Sequence, residues 1–182
     1  MHLHLAWALL IFIIVAMAVM LLLLHRTRLG SIIHANIPDR PRRRMFLASV
    51  SFFVTFLGVR LLVASITHHI GPFGYVTMGG RHIHHLVWGI LILLLVGYGW
   101  LAEVGSTDTP GGILAARTMS LLYGVGAALT LDEFALWLNL SAGAYWTRQG
   151  RESIDAVVLF GALLAIGAWG APAINALARF RK

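Results

Sequence analysis

The sequence predicts an all-α membrane protein, a polytopic bundle of five transmembrane helices forming one domain over residues 1–182. Hydrophobic residues make up 59% of the chain and charged residues only 12%, which is far too apolar for a soluble domain. Several apolar runs reach the roughly 20 residues that a helix needs to cross a bilayer. The same runs are too long and too evenly apolar for the alternating strands of a membrane barrel.

Five apolar segments are the predicted spans. They cover about residues 3–24, 45–67, 82–101, 113–138 and 154–177. No Lys or Arg precedes the first segment, so we interpret it as a retained helix and not as a cleaved signal peptide. The third segment is apolar only from Leu86 to Leu101, so its helix needs the preceding histidines to reach bilayer length.

Basic residues between the first two spans predict the orientation of the bundle. They are Arg26, Arg28, Arg40, Arg42, Arg43 and Arg44. By the positive-inside rule this loop faces the cytoplasm, which puts the N-terminus outside and the C-terminus inside. We therefore predict a multi-pass protein of the cell (plasma or inner) membrane. In that setting the net charge of +7 indicates contact with membrane lipids through their anionic headgroups, and no nucleic-acid partner is expected.

The absence of cysteine narrows the possible chemistry. It excludes disulfides, thiolate nucleophiles, Cys-ligated iron–sulfur clusters and Cys-rich zinc sites. Any metal must be held by imidazole, carboxylate or water. The chain also has no Walker loop, serine elbow or HExxH motif, which removes support for a phosphate-loop NTPase or a common protease.

Polar residues at the predicted outer ends of the helices form the candidate site. They are His69, His82, His84, His85, Asp132 and Glu133, with Arg60 as a structural partner. At 1.5 Å rise per residue, Arg60 and Asp132 both lie roughly 10 Å below the outer ends of their helices. An arginine at membrane depth needs an anionic partner, so we expect Arg60 to pair with Asp132 or Glu133. The other carboxylate is then available for chemistry.

Histidines and carboxylates on facing helices predict a divalent metal site, with zinc or iron as the metal. His82 and His85 share a helical face at i and i+3, and His84 points about 100° away. Two of the three can therefore reach a common centre. Asp132 and Glu133 are the candidate catalytic pair. A metal-activated water and a spare carboxylate as general base would act on a lipid or other amphiphile.

Three other functions fit the same residues, and whether the chain is an enzyme stays open. A haem or redox subunit would use one histidine from the second span and one from the third as axial ligands. A proton-handling transport component would use the His, Asp, Glu and Arg side chains as a relay. An accessory subunit of a larger membrane complex, or a homo-oligomer, would use them to fix helices.

Two motifs add a resemblance, the His-His segment Ile83–Gly89 and the Asp-Glu segment Leu131–Trp137. With Tyr145–Trp146 and Gly150–Asp155 they resemble a group of small, uncharacterised integral membrane proteins of bacteria and archaea, over about residues 80–160. The resemblance implies a polytopic helical membrane protein and carries no activity with it. Membrane hydrolases that hold zinc between helices are a looser analogy, and their HxxxH motif is absent from this sequence.

Overall fold

The described part of the chain is all-helical, apart from two antiparallel strands of two residues each. A computed structural model describes residues 3–70, 77–78, 81–82, 84–139 and 153–166. The elements in chain order are α1 (Leu3–Arg26), α2 (Leu29–Asn36), α3 (Arg40–Thr67), β1 (Thr77–Met78), β2 (Arg81–His82), α4 (His85–Leu101), α5 (Pro110–Asp132), α6 (Phe134–Asn139) and α7 (Ser153–Ile166).

The two longest central helices begin at sequence signals that satisfy free backbone amides. The side chain of Asp39 accepts a hydrogen bond from the backbone N–H of Arg42 at the start of α3. Thr109 accepts one from the N–H of Gly112 at the start of α5. A proline follows each cap, where its missing N–H costs nothing and its fixed φ suits the first turn.

The longer helices alternate in direction along the described chain, and α6 is a short turn of helix after α5. For α1 against α3, Ile13 and Val59 share one buried cluster, and Leu24 and Leu47 share another. Arg60 contacts Asp132 and Ser51 contacts Leu121 between α3 and α5. Gly89 lies against Thr130 and Gly99 against Met119 between α4 and α5, while α7 meets Ala135 through Ser153 and Phe53 through Gly161. Helices α3 and α5 therefore run parallel, while α1, α4 and α7 run the opposite way.

Small residues bring α3 and α5 into close contact. A Cβ added to Gly124 would lie 2.1 Å from both the backbone oxygen of Ala48 and the hydroxyl of Ser51, so only glycine fits there. The Ser51 hydroxyl lies 3.0 Å from the carbonyl oxygen of Leu121 on α5. Phe52 and Ala128 are fully buried beside this contact. This is the packing that small residues give to membrane helices.

Large apolar side chains cover the outside of the described bundle. Examples on four helices are Ile14, Leu61, Leu95 and Leu163, each more than half exposed. Such a surface suits lipid and not water. Two helices, α3 and α5, are each long and apolar enough to cross a membrane. Residues 13–26 of α1 with α2 form a third candidate that bends by 75° between the two helices, so the chain is a membrane protein with two or three candidate spans.

Two predicted boundaries differ from the structure, and a third is described only in part. The third helix begins at His85 and not at residue 82, because His84 is extended and precedes it, so α4 has 17 residues. The fourth helix does not run unbroken to residue 138, since Glu133 leaves helical geometry between α5 and α6. Of the predicted span 154–177, residues 154–166 are helical and the remainder lies outside the described residues.

The segments that follow α1 and α4 lie at the same end of the described bundle. Arg40 at the start of α3 pairs with Asp108 in the loop between α4 and α5. Arg44 donates to the backbone oxygen of Gly105 in that loop, at 2.7 Å. Gly105 has a φ of +78° and lies against the backbone of Ala116, two conditions that favour glycine. We call this end, with α2, the start of α3 and the loop 102–109, the basic end.

Candidate functional site

A buried ion pair links α3 and α5 at the end opposite the basic end. Nε of Arg60 donates to Oδ1 of Asp132 at 2.5 Å, and a second guanidinium nitrogen lies 3.3 Å from the Asp132 backbone oxygen. Asp132 is fully buried and Arg60 is 15% exposed. The guanidinium carbon also lies 5.3 Å from the centre of the Phe56 ring, within range of a cation–π contact. The pairing that the sequence predicted for Arg60 is confirmed, with Asp132 as the partner.

His85, the first residue of α4, lies between the two carboxylates. Its Nε2 is 2.9 Å from Oδ2 of Asp132, so the same carboxylate contacts both Arg60 and His85. Its Nδ1 faces Oε2 of Glu133 at 3.6 Å, which is beyond hydrogen-bond distance. The ring can therefore donate one proton to Asp132 and presents its other nitrogen to Glu133.

Glu133 makes two contacts at the start of α4, one with the preceding His84 and one inside the helix. Its Oε1 lies 2.8 Å from Nδ1 of His84. Its Oε2 accepts the backbone N–H of Leu86 at 2.9 Å. That N–H is one of the free amides of the first helical turn, and the His84 side chain does not cap it. A carboxylate from the junction of α5 and α6 therefore takes the capping role, and its negative charge lies at the positive end of the α4 dipole.

These contacts form a series that begins at the partly exposed His84 and ends at the fully buried Asp132. His84 is 31% exposed, Glu133 is 6% exposed, His85 is 10% exposed and Asp132 is fully buried. Neighbouring members alternate between imidazole and carboxylate. We call these four residues and Arg60 the histidine–carboxylate cluster, and the end of the bundle that holds it the histidine end.

The cluster is arranged for direct contact between its members and not around a central ion. Two ligands about 2.1 Å from a tetrahedral zinc ion lie about 3.4 Å apart. The nitrogen–oxygen distances from His84 to Glu133 and from His85 to Asp132 are 2.8 and 2.9 Å, too short to bridge an ion. Within the residues that the structure describes, no group of three or more His, Asp or Glu side chains could hold a metal.

The structure places the remaining candidates outside the cluster or leaves their side chains undescribed. His69 lies in an exposed turn after α3, with a φ of 55°. His82 belongs to β2, where its backbone pairs with Thr77. The prediction that His82 and His85 share a helical face is wrong, because the chain between them is extended at His84. The structure describes the backbone of His82 but not its side chain, and residues 140–152 lie outside the described residues.

Sequence reasoning missed one polar group next to the cluster. The hydroxyl of Ser153, the first residue of α7, accepts the backbone N–H of Ala135 at 2.8 Å, and Ser153 is almost fully buried. This bond attaches α7 to the turn of helix that follows Glu133. A serine at the start of an apolar run is a helix-start signal, but its partner on another helix could not be deduced from spacing.

Comparison of the chain with protein-family models, with curated proteins and with solved structures finds no match. The resemblance in the segments around His84 and Asp132 therefore stays a prediction.

Proposed function

We propose that this protein is a five-span membrane protein whose histidine–carboxylate cluster takes up protons at the outer side of the cell membrane and passes them across the bilayer. In this arrangement α1, α3, α4, α5 and α7 each cross the bilayer, and the basic end faces the cytoplasm. Two features support the arrangement: the alternating helix directions and the excess of arginines at the basic end of the described residues. The 17 residues of α4 extend about 25 Å, so the histidine end would sit in a thinned or polar part of the bilayer.

A single observation carries the proton-handling proposal: imidazole and carboxylate groups alternate from the partly exposed His84 to the buried Asp132. The distance between the His84 ring and the Glu133 carboxylate is 2.8 Å, and the distance between the His85 ring and the Asp132 carboxylate is 2.9 Å. The distance from Glu133 to His85 is 3.6 Å, which a small movement of either side chain would close to hydrogen-bond length. Chains of His, Asp and Glu at membrane depth are the usual construction of proton relays.

The charges of the cluster also favour this function. Two carboxylates face one guanidinium group, which leaves one negative charge if both imidazoles are neutral. One additional proton on the cluster balances that charge, and a net buried charge is unfavourable in a membrane. The cluster is therefore suited to hold one proton, and Arg60 lowers the electrostatic attraction that a divalent cation would feel at Asp132.

The experiment is proton flux across liposomes that contain the purified full-length chain and a trapped pH-sensitive dye, with potassium and valinomycin to set the membrane potential. We expect the wild-type protein to pass protons and Glu133→Gln to abolish most of the flux. The glutamine keeps an oxygen acceptor for the Leu86 N–H but cannot carry the proton. Arg28→Gln, an exposed charge change at the basic end, is the matched control and should leave the flux unchanged.

Two results would contradict the proposal. Wild-type liposomes that pass no more protons than empty liposomes would remove it, and so would Glu133→Gln liposomes that match the wild type. The same sample tests the other hypotheses. Stoichiometric zinc or iron that His85→Ala removes would favour the metal enzyme, and a Soret band would favour the haem subunit.

A further inference from the structure

A pocket lies at the basic end, far from the histidine–carboxylate cluster. Its walls come from the end of α1, from α2, from the first turns of α3, from the loop 102–109 and from the start of α5. The charged side chains in these walls are Arg40, Arg43, Arg44, Arg117 and Asp108. Four guanidinium groups against one carboxylate leave a clear excess of positive charge. The pocket is therefore suited to an anion.

Part of the arginine hydrogen-bonding capacity in this pocket is used by the protein itself. Arg40 pairs with Asp108, and Arg43 donates to the backbone oxygens of Ile37 and Pro38 at 3.0 and 2.8 Å. Arg44 uses one terminal nitrogen for the Gly105 oxygen. These bonds hold the walls in place and aim the guanidinium groups before any ligand arrives.

Two of the arginines have donors that these bonds do not satisfy. Nε of Arg44 is buried and has no hydrogen-bond partner among the described residues. Arg117 reaches the backbone oxygen of Leu24 at 3.4 Å, a long contact. A buried donor without an acceptor is unfavourable, and its presence beside a cationic pocket indicates that the acceptor is a ligand.

The other walls of the pocket are apolar. Leu24, Ile33, Leu47 and Ile113 line it. Helix α2 turns by 75° from the last part of α1, and it carries the exposed side chains of Leu29 and Ile32. A short helix across the end of a bundle with exposed apolar residues suits the boundary between headgroups and acyl chains. The pocket thus joins a cationic region to a surface for hydrocarbon.

We propose that this pocket binds the phosphate group of an anionic glycerophospholipid, with Arg44 and Arg117 as the main phosphate contacts. A guanidinium fork donates two parallel hydrogen bonds to phosphate oxygens, which suits Nε and a terminal nitrogen of the same arginine. The apolar wall favours a lipid over free phosphate, because it would cover the first part of an acyl chain. This site does not depend on the proton-handling proposal.

The test measures binding of phosphatidylglycerol to the full-length chain in a neutral detergent by native mass spectrometry. We expect one tightly held lipid per chain, and about tenfold weaker binding for Arg44→Gln, since a charge-assisted hydrogen bond is lost. Arg28→Gln removes the same charge from an exposed position outside the pocket. It should change the affinity by about twofold or less.

Three outcomes would overturn the proposal. Equal losses in Arg44→Gln and Arg28→Gln would indicate general attraction to the basic end. Inorganic phosphate that displaces the lipid or raises the melting temperature as much as phosphatidylglycerol does would assign the pocket to a free anion. If Arg44→Gln fails to fold, Arg117→Gln replaces it in the binding test. Arg117 makes only a long contact with Leu24, so its loss should disturb the fold little. An Arg117→Gln protein that binds phosphatidylglycerol like the wild type would then count against the site.

Discussion

Both ends of the bundle hold an arginine–aspartate pair, and the two pairs differ in their surroundings. At the histidine end, Arg60 contacts an aspartate that is fully buried and also contacts His85. At the basic end, Arg40 contacts Asp108, whose side chain is 86% exposed. A buried charge that loses its partner has no water to take the partner's place, whereas an exposed charge is hydrated instead. The same chemical pair should therefore contribute very differently to stability at the two ends.

The largest effect is expected from Asp132→Asn. This change leaves Arg60 buried without an anionic partner, and losing one member of a buried pair costs about 3–5 kcal/mol. The free energy of unfolding in detergent micelles measures the loss. The double variant Arg60→Leu/Asp132→Leu should recover much of it, because removing both charges leaves no unpaired group. An Asp132→Asn protein as stable as the wild type would show that water reaches Arg60.

A smaller effect is expected from Gly89→Ala, which tests how tightly the histidine end is packed. The added Cβ would lie 2.4 Å from the Thr130 hydroxyl and 2.8 Å from the Gly126 oxygen, so α4 must move away from α5. Overpacking of this kind costs about 1–3 kcal/mol. Gly97→Ala is the control on the same helix, since a Cβ there meets nothing within 4 Å. It should be neutral or stabilise the helix, and equal losses in both variants would contradict close packing at Gly89.

The smallest effect is expected from Asp108→Asn. It makes the same chemical change as Asp132→Asn, but at the opposite end of the bundle. The pair with Arg40 is exposed, so its loss should cost less than about 1 kcal/mol. Unfolding of the two asparagine variants under identical conditions gives the comparison directly. A cost at Asp108 as large as that at Asp132 would mean that the loop 102–109 is far less accessible to water than its side chains indicate.

Sequence patterns predicted the helices and one contact of the site well. Hydrophobic runs identified α3 and α5, and depth along the helices predicted the pairing of Arg60 with Asp132. That prediction succeeded because a charge in an apolar helix has few possible partners, and the rise per residue fixes its level.

The exact start of α4 could not be predicted from the sequence. The pattern at His82–His85 suits a continued helix, but the chain becomes helical only at His85, where Glu133 supplies an acceptor for a backbone N–H. That acceptor belongs to a residue far along the chain. Contacts of this kind depend on tertiary packing, which local propensity does not describe. The bond between Ser153 and Ala135 could not be predicted for the same reason.

The capping of α4 by Glu133 has a consequence for the order of assembly in the membrane. The N–H of Leu86 and its acceptor are 47 residues apart, and α4 is synthesised before α5. Until α5 arrives, the first turn of α4 must find another acceptor, such as water or a lipid headgroup. The native capping of α4 can therefore form only after the chain has been synthesised as far as Glu133.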